Sequence, residues 1–337
     1  MKTNWRKEGR SAWTFHERLL AFLDILPTTI PAPRHSEQDK IPYMPEWQMH
    51  RWILSRALPP LALHYAIVKS TGGAAWHPVA MVFFYAVWFK AIGIQQIWSL
   101  RWQGETYGFL DGQRARDDVP DGSAAKIVHS LSATSTLRPL LMVYLAYDPK
   151  VHALVGPHWL YLPLTIGLYG IVLDFWFYWY HRAMHIVGPL WKYHRTHHLT
   201  KHPNPLLTLY ADAPQELGDI IGIPALTFFT LRMMGVPFNF YDWWLCGQYV
   251  VFSELAGHSG VRIHATPPSL LTPILRYFGG DLVIEDHDLH HRRGWRDSFN
   301  YGKQTRLWDR VFGTCAPRIE SRLGNVDYEH PACIPLW

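Results

Sequence analysis

Charge is scarce in this chain: Lys, Arg, Asp and Glu make up 18% of its 337 residues, where an ordinary soluble domain carries about a quarter. The 32 basic residues exceed the 27 acidic ones, giving a formal charge of +5. They form no run inside a recognisable nucleic-acid module, so no nucleic-acid partner is expected. The three cysteines, Cys246, Cys315 and Cys333, are odd in number and far apart, which excludes a disulfide framework or a zinc knuckle. Neither a Gly-x-Gly-x-x-Gly fingerprint nor a Cys-x-x-Cys-His haem site occurs, so any reducing equivalents must come from other proteins. Apolar runs long enough to cross a bilayer are also few. Of the segments 52–68, 74–98, 137–147, 159–180, 220–231 and 236–252, only two approach the roughly 20 residues a spanning helix needs.

What is abundant points to a membrane. Hydrophobic residues are 48% of the chain, with 17 Trp and 17 Tyr, the side chains that anchor at bilayer interfaces. Mean hydropathy is only −0.09, an average that 20 histidines and long polar connections pull down. Near the N-terminus the apolar run "LLAFLDIL" is short and broken by Asp24. It reads as an interfacial amphipathic helix or a solvated leader rather than a cleaved signal peptide. Pro59, Pro60 and Pro224 are expected to kink or end helices, and the polar stretch 101–126 reads as a loop.

The histidines are clustered. "HRAMH" places His181 and His185 at i and i+4; "HRTHH" places His194, His197 and His198 at i, i+3 and i+4; "HDLHH" repeats that pattern with His287, His290 and His291. On an α-helix these spacings aim each cluster's rings to one side. Eight imidazoles exceed the capacity of one ion, so two ions are expected, and imidazole suits Fe, Zn, Cu and Ni. The helical His-Glu-x-x-His of a catalytic zinc site is missing, because Arg182, Ala183 and Met184 separate His181 from His185. A non-haem di-iron centre is the preferred reading; a membrane zinc hydrolase or a metal transporter would use the same clusters. Segment 159–180 runs directly into His181, and the segments between 217 and 252 can form a hairpin, so all three clusters can meet at one membrane face. Arg182, Lys192, Arg195, Lys201, Arg292, Arg293, Arg296, Lys303, Arg306 and Arg310 flank them, and the positive-inside tendency makes that face cytoplasmic. The expected fold is an all-α integral membrane helical bundle of about four spans with a cytoplasmic histidine-rich helical cap. Its expected divisions are an N-terminal cytoplasmic or interfacial segment (1–51), membrane helices with the first two clusters (52–257) and the cap with the third (258–337).

"DFWFYWYHRAMH", "LWKYHRTHH", "HSG" at His258, "DHDLHH" and "FNYGKQTRLWDRVFGT" together resemble the sterol desaturase and fatty acid hydroxylase superfamily of membrane di-iron oxygenases, over residues 159–314. The resemblance implies an O2-dependent hydroxylase or desaturase of a sterol, fatty acyl or other lipid-like substrate. It also implies two iron ions at the cytoplasmic face, in the endoplasmic reticulum membrane. Electrons derived from NAD(P)H would arrive through cytochrome b5 and its reductase. It carries over His181, His185, His194, His197, His198, His287, His290 and His291 as ligands, with His258 as a ninth. His264 is a candidate tenth or a surface residue. In "YADAPQE" Asp212 stands where relatives often carry a histidine. Asp174, a charge inside an apolar span, is expected to orient a ligand or line the substrate channel, or else to make a helix-packing contact. Asp286, with Glu285 and Asp288, is expected to accept the free ring N–H of a ligand. Asp309 and Arg310 are expected to pair and close the cap.

Overall fold

The computed structural model describes residues 3–112 and 114–336. The termini of the expected first and last divisions, Met1, Lys2 and Trp337, lie outside them. Among the described residues twelve α-helices follow in order: α1 (Phe15–Phe22), α2 (Glu46–Ser70), α3 (Pro78–Tyr107), α4 (Ala124–Ala146), α5 (Leu162–Ile186), α6 (Gly188–His194), α7 (Ala213–Leu217), α8 (Ile223–Met233), α9 (Phe240–Ser259), α10 (Thr272–Tyr277), α11 (Ile284–Arg293) and α12 (Leu307–Val311). The one two-residue sheet among the described residues pairs β1 (Ile41–Pro42) in parallel with β2 (Val326–Asp327), tying the N-terminal segment to the C-terminal tail.

Helix α9 is the central post. Nearly every side chain along it is buried, and α2, α3, α4, α5 and α11 all pack against it. Its start is fixed by a capping box, in which Asn239 accepts from Asp242 N–H while the Asp242 carboxylate accepts from Asn239 N–H at 3.0 Å. It ends at Gly260 with φ +57°. A Cβ there would collide with the Arg116 guanidinium, so glycine is required on both conformational and steric grounds.

Among the described residues only α3 and α5 are long and apolar enough to cross a membrane, where about four spans are expected from the sequence. Helix α2 is long enough, but it carries Arg56 and His64 among its buried residues, and α4 likewise carries Arg138. Helix α8 has 11 residues, about 16 Å of rise. It is, however, continuous with α7 through a wide π-turn over Gly218–Gly222, where Ile223 N–H donates to Gly218 O. The expected hairpin therefore exists as the run 213–233 and α9, joined through Gly235. Just 22% of the apolar window of α3 is buried within the protein, against 56% for α5. Phe83 and Val87 stand among its exposed residues.

Three local expectations change. Helix α2 runs through Pro59 and Pro60, because its Trp52, Ile53, Ala57 and Leu61 are locked in the core and Trp244 Nε1 donates to Ala57 O at 3.0 Å. Pro224 likewise does not end its helix. It sits at the second residue of α8, beside the π-turn, where a missing N–H costs little. The expected loop 101–126 begins as helix: α3 continues to Tyr107, with Arg101 bonded to Asp24 at 2.5 Å and Gly104 giving room to the Phe109 ring. The N-terminal segment is folded onto this region, Trp5 being buried and donating to Val119 O.

Candidate metal centre

The nine histidines named from the sequence converge into two adjacent buried groups: His181, His185, His194, His198 and His290 in one, His197, His258, His287 and His291 in the other. Within each group the candidate ligand atoms lie within 4.8 Å of one another. The backbone explains the division. His181 and His185 lie one turn apart on α5 and enter the same group. On α11, His287 and His291 are likewise one turn apart and share a group, while His290, rotated about 100° from His291, faces the other. The second cluster is not one helix face as its spacing predicts. Helix α6 stops at His194 and a 3₁₀ turn covers His197–Leu199, yet the division matches that of α11: the i and i+4 rings, His194 and His198, join the first group and the i+3 ring, His197, the second. Each His-His doublet thus serves both groups.

Main-chain carbonyls fix the rings. Nδ1 of His181, His185, His197, His258, His290 and His291 faces the carbonyl oxygen of Tyr301 (2.8 Å), Trp295 (2.7 Å), Tyr210 (3.3 Å), Glu254 (2.8 Å), Phe299 (2.6 Å) and Thr200 (3.1 Å) respectively. A carbonyl only accepts, so each of these Nδ1 atoms carries the hydrogen and each Nε2 keeps a bare lone pair. Nε2 of His197 and Nε2 of His258 are nevertheless 3.1 Å apart, although both rings have their hydrogen on Nδ1. Protonating one ring would relieve the repulsion, but burial first, then the neighbouring rings, push His197 down to about 3. His194, His198, His287, His290 and His291 are held well below the usual imidazole range by the same burial and crowding. Three more Nε2 pairs meet at 3.0 Å, His181 with His194, His290 with His198 and His258 with His287; in each, the second ring has no partner on Nδ1, so its Nε2–H can donate to the bare nitrogen of the first. Nε2 of His185 and of His291 is buried with no partner. Neutral, converging, inward lone pairs fit cations. Sets of five and four nitrogens without a thiolate fit ions that accept imidazole at high coordination number better than a closed structural zinc site.

The segment after α11 sets three of these carbonyls. Asn300 adopts φ +52°. It is tied by its N–H to Thr314 O, by Nδ2 to Asp286 O at 2.9 Å, and by Oδ1 to Ala316 N–H at 2.9 Å. This turn presents Phe299 O and Tyr301 O on either side. Asp174, fully buried, does not face the histidines. It accepts from the N–H groups of Lys303 (2.7 Å), Gln304 (3.0 Å) and Thr305 (3.2 Å) and from Thr305 Oγ1 (2.8 Å), just beyond the carbonyl that holds His181. Asp309 makes no pair with Arg310. It accepts from Tyr301 N–H and Gly302 N–H, both at 2.8 Å, and from Thr314. Gly302 has no room for a Cβ between Thr305 O and the two carboxylates.

The carboxylates flanking the third cluster also take other partners than ring N–H groups. Asp286 caps α11 by accepting from Val283 N–H at 2.9 Å and binds Arg318 at 2.7 Å. Glu285 accepts from the N–H groups of Ile319, Glu320 and Ser321, and Asp288 pairs with Arg116 at 2.7 Å. Asp212 receives Thr196 Oγ1 at 2.7 Å and Lys126 at 2.5 Å, steadying the turn between His194 and His197. His264 belongs to neither group. It is buried, and its backbone bonds to Pro42 O and Met44 N–H. The carbonyl clamps and Asp212's hold on Thr196 escape sequence reasoning, since a carbonyl carries no residue signature.

A cavity opens against His181, His194, His197, His258 and His287. Phe89, Ile97, Leu131, Phe177, Ile220 and Leu255 line its apolar part, and Arg138, Gln215, Glu216, Asp219, Glu254 and Lys303 its polar part. Lys303, read from the sequence as a membrane-face charge, points inward instead, 3.6 Å from Glu254 and over the Phe177 ring.

The chain is 42% identical over 303 residues to the fatty acid hydroxylase VlmA of Lecanicillium sp, covering 86% of this chain and 83% of that one. It is 33% identical over 165 residues to the very-long-chain aldehyde decarbonylase GL1-11 of Oryza sativa subsp. indica, covering 47% of this chain and 54% of that one. It is 30% identical over 171 residues to methylsterol monooxygenase 2-1 of Arabidopsis thaliana, covering 47% and 58%. No solved structure matches it. The fatty acid hydroxylase family matches residues 166–314, a stretch that contains all nine histidines. The chain belongs to that family, within the sterol desaturase and fatty acid hydroxylase superfamily.

Proposed function

We propose that the chain is a membrane-bound non-haem di-iron oxygenase that hydroxylates an unactivated C–H bond of a lipid acyl chain, one iron held by the five-histidine group and one by the four-histidine group. The observation that carries this reading is the 3.1 Å approach of two bare nitrogens, His197 Nε2 and His258 Nε2, which a shared cation turns from repulsion into ligation. Bound there, the iron pair would supply the reductive activation of O2. The rest is supplied by the chain. Phe177, Leu255 and Ile97 offer an apolar channel that holds a hydrocarbon segment against both groups and keeps bulk water from them. The carbonyls of Tyr301, Phe299 and Tyr210 hold the rings in the tautomer that leaves Nε2 free.

The weakly buried apolar face of α3 supports a membrane setting. An endoplasmic reticulum address, with the histidines on the cytoplasmic side and electrons delivered by cytochrome b5 and its reductase, completes the proposal. The similarity to a named fatty acid hydroxylase over most of both chains favours an acyl substrate over a sterol, and hydroxylation over desaturation. Iron-reconstituted protein in nanodiscs, given a reduced cytochrome b5 system and a C12–C18 acyl series under 18O2, is expected to yield product carrying one 18O. Product oxygen drawn from water, or turnover that persists without O2, would overturn the reading in favour of a hydrolase.

A further inference from the structure

The structure turns the end of the segment "YADAPQE" into a wall of the cavity. Gln215, Glu216, Asp219 and Ile220 all line it. The π-turn over Gly218–Gly222 holds this arrangement, anchored from α5 by Tyr180 Oη, which donates to Gln215 O at 2.9 Å. The Tyr180 ring packs where a Cβ on Gly218 would stand. Such turns interrupt helices at functional sites.

Three hydrogen-bond acceptors on this wall are buried without a partner: Gln215 Oε1, Glu216 Oε1 and Asp219 Oδ1. Gln215 itself is 5% exposed and its side-chain oxygen also faces the His194 ring, so Glu216 and Asp219 carry the clearest free acceptors. Ser130 faces the Glu216 carboxyl and Gln215 the Asp219 carboxyl, yet one oxygen of each acid stays free. Lys303 Nζ is 3.9 Å from Asp219 Oδ1, outside hydrogen-bond reach. Of the cations that line the cavity, Arg138 pairs through Nη2 with Glu254 at 3.0 Å and keeps its buried Nε without a partner, and Lys303 lies 3.6 Å from Glu254; Lys90 stands across the cavity on α3. A buried acceptor left unpaired is costly, and a site built of such groups rejects ligands that cannot pair with it.

We infer that this wall is a specificity site for an uncharged hydrogen-bond donor, a hydroxyl or amide N–H on the substrate, which Gln215, Glu216 and Asp219 receive beside the histidine groups. A plain alkyl chain leaves the acceptors unpaired, and a free carboxylate meets two carboxyl groups. The inference rests on the oxygenase reading for the identity of the neighbouring site, but it concerns binding and is testable without turnover.

The test is equilibrium binding of three C16 probes, hexadecane, 1-hexadecanol and hexadecanoate, to the iron-loaded protein in nanodiscs, each corrected for partition into empty nanodiscs. Wild type is expected to prefer the alcohol about tenfold over both others. Gln215→Met and Glu216→Met should each cut the preference over hexadecane severalfold, and Asp219→Asn, which keeps an acceptor oxygen, should retain it. Iron content is measured in every variant. Equal binding of alkane and alcohol in wild type, tightest binding of hexadecanoate, or a preference unmoved in both methionine variants would overturn the inference. Wild type that binds no iron yet prefers the alcohol would sink the oxygenase reading and leave the wall's specificity standing.

Discussion

His197→Ala is expected to insert into membranes as wild type does, to lose one of two irons and to bring turnover to background. The side chain is one of four in its group, so its removal leaves three nitrogens around that position. It also leaves His258 Nε2 without the neighbour it meets at 3.1 Å. The backbone at this point is a 3₁₀ turn also held from outside by Thr196 and Asp212, so the chain path survives loss of the ring's bond to Tyr210 O. Iron per chain by plasma emission and 18O incorporation measured on the same preparation check both halves. A variant with near-normal turnover would remove His197 from the ligand set.

Asp174→Leu is expected to fail differently, in stability first and metal second. Its carboxylate is the acceptor for three backbone N–H groups and one hydroxyl in segment 303–305, and leucine orphans all of them in a dry interior. Unsatisfied buried donors cost about 1–3 kcal/mol each, so the loss should be several kcal/mol, enough to lower the melting temperature clearly. Tyr301 sits two residues before that segment and its carbonyl holds His181. Loosening a group that orients a ligand typically costs about 10–100-fold in metal affinity or activity. Asp174→Asn keeps one acceptor oxygen and should fall between. A melting curve by fluorescence-detected gel filtration, followed by iron retention against a chelator series, separates the two effects. An unchanged melting temperature in Asp174→Leu would refute the positioning role.

The convergence of the nine histidines was the most legible part of this molecule, because helical spacing is periodic and imidazole has few other reasons to cluster. How the histidines divide was not legible. "HRTHH" and "HDLHH" divide alike, the i and i+4 rings entering one group and the i+3 ring the other, although only the second lies on one α-helix. Asp174 stood out as a charge in an apolar run, but its partners lie some 130 residues away, and nothing in either segment announces the pairing. Hydropathy located α3 and α5 as the two long apolar segments and gave the others without their true extents. The 11 residues of α8 are the end of a longer irregular helix whose π-turn has no composition signal, and α2 carries two prolines through its middle because its packing against α9 outweighs their local cost.

The most direct measurement is metal identity and number per chain in wild-type protein after anaerobic iron loading, by plasma emission together with Mössbauer spectroscopy of 57Fe. Two irons per chain in two distinguishable nitrogen-rich environments, one richer in ligands than the other, is the predicted result. A single iron, or iron that binds equally well to protein lacking both His197 and His258, would contradict the assignment of one ion to each histidine group.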